Sequence, residues 1–253
     1  MSTVTSYFRP ELKDHRDYVN QGGLSRTAIY NQVDDCLARL GTDYIDILMI
    51  HMTDDETPFE ETMCALNDLV RSNKIRYLGA SNVRAWKFIE MNNVAQLNGW
   101  AQFSCVQMEH SLCYRTEVRY FITIYSSLIV FEQELELFSY CHYKGIGITA
   151  YSPLMDGHLA RPIGIETTRT KSVDGTFFEK KRRESDIKII NRVAEIAEKR
   201  EWKMSQVALA WSVTKITSPV VGANTVKITP EGHFYSFSLA ITARKTFGDH
   251  NHR

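Results

Sequence analysis

The chain has 253 residues, of which 43% are hydrophobic and 24% charged. That is too apolar for a disordered chain and too short for two ordinary domains of about 100–200 residues each. Thirty Lys and Arg balance thirty Asp and Glu, so no charge excess marks a nucleic acid or an acidic membrane as partner.

Five cysteines (Cys36, Cys64, Cys105, Cys113, Cys141) are scattered without CxxC spacing, which argues against a disulfide framework or a thiolate metal cluster. Met1 to Asp14 has no apolar stretch behind a basic start, so no signal peptide is expected. The most apolar run, Tyr120 to Phe131, has only 12 residues without a charge, against the roughly 20 that a membrane span needs. The expectation is a soluble, cytoplasmic protein.

In chain order, Ser25 is placed to cap a helix with Ala28, Ile29, Val33, Cys36, Leu37 and Leu40 at helical spacing and Gly41 at its end. Tyr44 to Ile50 reads as a buried strand ending at His51. Thr57-Pro58, with Glu60 and Glu61 in the first turn where the helix dipole favours them, opens a helix reaching about Asn73. Ile75 to Leu78 reads as a strand broken at Gly79-Ala80-Ser81-Asn82, followed by a helix from Ala85 to Leu97. Phe103 to Gln107 is a strand, and Gly145 to Ala150 another, ending in Tyr151-Ser152-Pro153-Leu154. A polar loop fills residues 161–180. Ser185 is read as the cap of a long amphipathic helix, Ser205 as the cap of a second through Trp211, and Pro219 to Gly222 as the last strand.

Strands alternating with helices imply βαβ units and a parallel sheet. A doubly wound sheet and a closed barrel both fit that pattern. No GxGxxG follows any strand, which counts against a Rossmann domain. Polar residues stand just past one strand end after another, where a (β/α)8 TIM barrel keeps its active site. The barrel is the expected α/β architecture.

Five motifs carry a resemblance. They are Leu40 to His51, Lys74 to Asn82, Gln107, Tyr151-Ser152-Pro153-Leu154 and Pro219 to Ala223. In this order and spacing they resemble the aldo-keto reductases, in the fungal aryl-alcohol dehydrogenase-like branch, which includes reductases of secondary metabolism. The likeness covers most of residues 24–117 and 134–225. It implies NADPH-dependent reduction of an aldehyde or ketone, without metal. An aromatic aldehyde or a polyketide-like carbonyl is the substrate that the branch suggests.

Outside that context a histidine after an apolar strand is more often structural than catalytic. By resemblance, His51 donates a hydrogen bond to the substrate carbonyl oxygen and favours the developing alkoxide. Ser81 and Asn82 read locally as a turn or helix cap; by resemblance they hold the nicotinamide carboxamide together with Gln107. Tyr151, locally an ordinary aromatic, would stack on the nicotinamide ring. Ser152 and Leu154 would contact the pyrophosphate, and Gly222 and Asn224 would lie near the adenosine end.

The sequence departs from the family pattern in three places. The family's first two strands carry an aspartate and a tyrosine acid, and the next a lysine that depresses the tyrosine pKa. Neither motif of the first two strands is present, and the stretch Val4 to Phe8, which corresponds to the third, has no lysine. Lys13 and Tyr18 lie in polar sequence and are not assigned those roles. About six of eight strands are therefore expected. Residues 118–133 form an aromatic, β-branched insert in a single domain spanning 1–253, and residues 226–253 lack the family's final helix. Both foreign segments open with Val and a basic residue, Val118-Arg119 and Val226-Lys227. Such codons can supply an intron start, so two retained introns are expected, testable by sequencing the transcript. Unclosed sheet edges and the apolar insert predict poor solubility. Two readings of function follow: an NADPH-dependent reductase, or a catalytically inactive nucleotide-binding remnant of one.

Overall fold

A computed structural model describes residues 22–115, 136–165 and 183–222, with the backbone of residues 2–4. Asn224, the segments 118–133 and 226–253, and most of the 161–180 loop lie outside the described residues. The chain divides into two compact units, one of residues 1–108 and 117–148, the other of residues 109–116 and 149–253.

The first unit is a parallel sheet with helices between its strands. Strand β1 (Ser2–Val4) pairs with β2 (Ile45–Ile50), β2 with β3 (Ile75–Ser81), and β3 with β4 (Phe103–Glu109), all parallel. The register sets Thr3 beside Met49, Ile50 beside Ala80, and Ser81 beside Gln107. Helices α1 (Arg26–Leu40), α2 (Phe59–Arg71) and α3 (Ala85–Leu97) connect successive strands, and α4 (Leu137–Lys144) leads into β5 (Gly147–Tyr151). The Ser25 hydroxyl accepts from the Ala28 N–H at 3.4 Å, and Gly41 closes α1 with φ 64°. Both ends of that helix follow from cap chemistry alone.

The core of this unit is apolar on both sides of β2. Leu48, Met49 and Ile50 are buried with Met63, Leu66 and Leu69 of α2. Phe88 of α3 stacks on Phe103 with ring centroids 5.5 Å apart and meets Tyr140 edge-on at 6.2 Å. Each large side chain so buried contributes about 1.5–3 kcal/mol before entropy is counted.

Strand β3 runs on through Gly79 to Ser81, although its pairing with β4 shifts register between Leu78 and Gly79. A Cβ on Gly79 would lie 2.8 Å from Cys105 Sγ and from Met49 Cε. The glycine is there because neighbouring strands' side chains close over it, not because the chain turns. Gly145 is the left-handed cap of α4, with φ 70°, so β5 begins at Gly147.

In the second unit, Thr149 and Ala150 of β5 pair in parallel with Ser218 and Pro219, the whole of β6 (Ser218–Pro219). This is shorter and earlier than the Pro219 to Gly222 reading, although the Val220 N–H still donates to the Ala150 carbonyl at 2.7 Å. Helices α5 (Glu184–Lys199) and α6 (Met204–Ser212) follow the turn at Met155–Gly157. Ser185 and Ser205 do not cap them. The caps are Arg183 and Lys203, whose N–H groups donate back to Asp186 (2.9 Å) and Gln206 (2.8 Å) three residues on. An acceptor at the third helical position satisfies the cap N–H, which moves each start two residues earlier. The unit's core gathers Cys113, Leu159, Ile190, Val193, Ala197 and Ala208.

Candidate active site

In a parallel sheet every strand ends on the same edge, so the C-terminal ends of β2, β3 and β4 come together. His51 is the first residue beyond β2 and is exposed; Ser81 is the last of β3; Gln107 lies opposite it in β4. Asn82 joins the three. Its backbone N–H donates to the Gln107 carbonyl at 3.1 Å. Its side-chain Nδ2 donates to the His51 carbonyl at 3.2 Å and to Ser81 Oγ at 3.1 Å. To do this the residue takes a left-handed backbone, φ 50°, which Asn tolerates better than most side chains. Ser81 is 1% exposed, so its hydroxyl works inside the ladder. Of the residues expected from sequence, His51, Ser81, Asn82 and Gln107 thus form one group.

An open cleft of about 1000 Å³ lies beside that group, with Met52, Asn82, Phe59, Trp86 and Lys87 in its lining. Trp86 is 58% exposed and sits 6.4 Å from the Phe59 ring. The Lys87 ammonium pairs with Asp55 and approaches Thr53 Oγ1 at 3.4 Å. Its side chain is 13% exposed against 87% for Asp55. The Lys87 hydrogen bond holds the Asp55 carboxyl below the ordinary carboxylate range, with the ammonium charge adding to it. Next to it, Asp54 is buried and accepts from the N–H groups of Leu24 (2.6 Å) and Thr57 (2.8 Å) and from the Thr57 hydroxyl (3.0 Å).

Asp54, Asp55, Trp86 and Lys87 were not among the residues singled out from sequence. One signal was available for Asp54. Asp three residues before Thr, ahead of Thr57-Pro58, is a local pattern in which the carboxylate takes the downstream N–H.

The second unit carries the other expected residues. Tyr151 ends β5, and its carbonyl accepts from the His110 N–H at 3.2 Å. Directly after it Ser152, Met155 and Asp156 have φ of 53°, 49° and 53°. Left-handed non-glycine residues cost about 1–3 kcal/mol each and gather at functional turns. Hydrogen bonds from Met155 N to Ser152 O (2.9 Å) and from Gly157 N and Leu159 N to Leu154 O (3.0 and 3.1 Å) hold the turn. Tyr151, Ser152 and Leu154 are half-buried on it, while Gly222 is exposed beyond β6. His110 is fully buried and stacks on Trp211 at 5.1 Å and 13°.

A model of the Aldo/keto reductase family matches residues 7–229. The chain belongs to the aldo/keto reductase family. Its members are oxidoreductases built on a (β/α)8 barrel, and the parallel strand–helix repeats of this chain are repeats of that fold. The chain is 42% identical over 221 residues to an aldo-keto reductase from Fusarium vanettenii, covering 86% of this chain and 55% of that protein. It is 41% identical over 231 residues to the versiconal hemiacetal acetate reductase of Aspergillus parasiticus, covering 85% and 62%. A putative aryl-alcohol dehydrogenase of Schizosaccharomyces pombe is 38% identical over 218 residues, covering 86% and 62%. The chain therefore spans between half and two thirds of the length of these relatives. Among the described residues no cluster of His, Cys, Asp and Glu could hold a metal ion, and no helix is long and apolar enough to cross a membrane.

Proposed function

We propose that this aldo-keto reductase reduces an aldehyde or ketone to an alcohol with NADPH. The observation that carries the reading is the assembly of His51, Ser81, Asn82 and Gln107 at three adjacent strand ends beside an open cleft.

The residues present fit a nicotinamide carboxamide, which needs one acceptor and one donor. The half-buried carboxamide of Gln107 and the Oδ1 of Asn82 offer that chemistry from a rigid ladder. In the second unit, the left-handed turn at Ser152 to Gly157 bends the backbone as a phosphate-contacting loop does, with Tyr151 at its start. Gly222 and Asn224 are assigned to the adenosine end by resemblance. NADPH, when bound, supplies the hydride to the carbonyl carbon.

The protein's part is orientation and charge stabilisation. The exposed imidazole of His51 donates a hydrogen bond to the carbonyl oxygen, which is stronger once that oxygen becomes an alkoxide. Solvent reaches the ring, so the proton that completes the alcohol comes through His51 from water. Asn82 fixes the His51 backbone through its carbonyl and so the direction from which the ring approaches.

The test is NADPH titration of the full chain by fluorescence, followed by NADPH consumption with a panel of aromatic aldehydes. Saturable binding with turnover, lowered about 10²- to 10³-fold in His51→Ala, is the expected result. Binding without turnover overturns the reductase reading and leaves a nucleotide-binding remnant. No binding overturns both.

A further inference from the structure

Between His51 and the first turn of α2 the chain runs through an irregular stretch, Met52 to Pro58, fixed at one buried point. Asp54 is 8% exposed, and both of its oxygens are committed. Oδ1 accepts from the Thr57 N–H, while Oδ2 accepts from the Leu24 N–H and the Thr57 hydroxyl. Leu24 is itself anchored, since its carbonyl accepts from the buried Thr62 hydroxyl of α2 at 3.1 Å. Gly23 completes the seat. It has φ +78°, and a Cβ there would stand 2.9 Å from Asp54 Oδ2. The next residue, Asp55, is exposed and ties outward to Lys87. The stretch leaving His51 is thus pinned inward by Asp54 and outward by Asp55, and the inward point is the rigid one.

We infer that Asp54 is the positioning residue of His51: through its buried carboxylate it fixes the segment that follows the histidine, and so the orientation of the ring. This rests on the role proposed above for His51. Its physical basis is separate, because a carboxylate accepting three donors holds the backbone whether or not a substrate is present. Exposed loops satisfied by water alone would let the ring wander. A misplacement of about 1 Å in a reacting group costs on the order of 10²-fold in rate.

The experiment uses the full chain and two variants, Asp54→Asn and Gly23→Ala. The Asn variant keeps the shape but removes one acceptor, so one of the donors at Asp54 loses its partner. The Ala variant keeps the carboxylate and pushes it from its seat. The first readout is the NMR signal of the His51 ring, identified by its loss in His51→Gln. The expected result is a shift or broadening confined to His51 in both variants, with His110, His142 and His158 unmoved. With a turning-over enzyme, kcat falls about ten- to hundredfold while KM changes little. A merely structural role would lower the melting temperature and leave the His51 signal and kcat alone, and that result overturns the inference. Equal shifts in all histidines overturn it too. If Asp54→Asn does not fold, Gly23→Ala decides by the same readouts. Wild-type chain without turnover would count against the reductase reading, yet the His51 signal would still decide the role of Asp54.

Discussion

Asn82 carries two loads that substitution can separate. Its Nδ2 donates to the His51 carbonyl, and its backbone holds φ 50°. Asn82→Ala removes the side-chain bonding to the His51 carbonyl and to Ser81 Oγ, together worth about 1–2 kcal/mol. It also forces an ordinary L residue to be left-handed, at about 1–2 kcal/mol less whatever Asn already bears. The expected loss is about 2–3 kcal/mol. Asn82→Gly loses the same bonds but relieves the backbone, at an entropic cost of about 0.5–1 kcal/mol, so about 1–2 kcal/mol is lost. Alanine should therefore be worse than glycine by about 1 kcal/mol, roughly fivefold in the folding constant. Urea unfolding followed by tryptophan emission measures this, provided the slope is unchanged between variants. A glycine variant as unstable as the alanine, or more so, would refute the claim that left-handed geometry is part of what Asn82 supplies. A further consequence is that both variants should weaken NADPH binding, because both free the His51 carbonyl.

Three other outcomes follow from the packing. Gly79→Ala should cost about 1–3 kcal/mol through overpacking against Cys105 Sγ and Met49 Cε. Adding Cys105→Ala should recover part of it, and strictly additive urea midpoints would refute the close contact. Burial, with Cys105 adding its charge, pushes the Cys141 thiol from the ordinary value near 9 up to about 12. The folded state then holds a proton that the unfolded state has lost, so stability falls as pH rises between about 9 and 12, by at most about 4 kcal/mol. Urea midpoints for wild type and Cys141→Ala should diverge in that window and run parallel below it. Asp186, 1% exposed, accepts the Arg183 N–H at 2.9 Å and pairs with its guanidinium at 3.0 Å. Asp186→Ala should cost about 1–3 kcal/mol by thermal melting, whereas Arg183→Met, at a side chain 65% exposed, should cost less than Asp186→Ala.

What the sequence made legible was what depends on neighbours along the chain. Ser25 and Gly41 bound α1 because a cap is a matter of three or four residues, and the short apolar run before His51 reads as a strand. The motif order then placed His51, Ser81, Asn82 and Gln107 on successive strand ends, and the parallel register brings them together. The misreadings had a common cause. Gly79 looked like a break because glycine usually marks one, yet the reason for it lies in Met49 and Cys105, 30 and 26 residues away. Ser185 and Ser205 looked like caps because serine is a good one, but Asp186 and Gln206 reach back and move the start. One donor to Asp54 is the Leu24 N–H, 30 residues earlier. No local pattern reveals that pairing, because it exists only once α1 and α2 lie side by side. The same logic explains why His51 was easier to single out than the carboxylate behind it. His51 stood out because the motif around it is local in sequence, whereas the Leu24 N–H that completes the seat of Asp54 is brought to it only by folding.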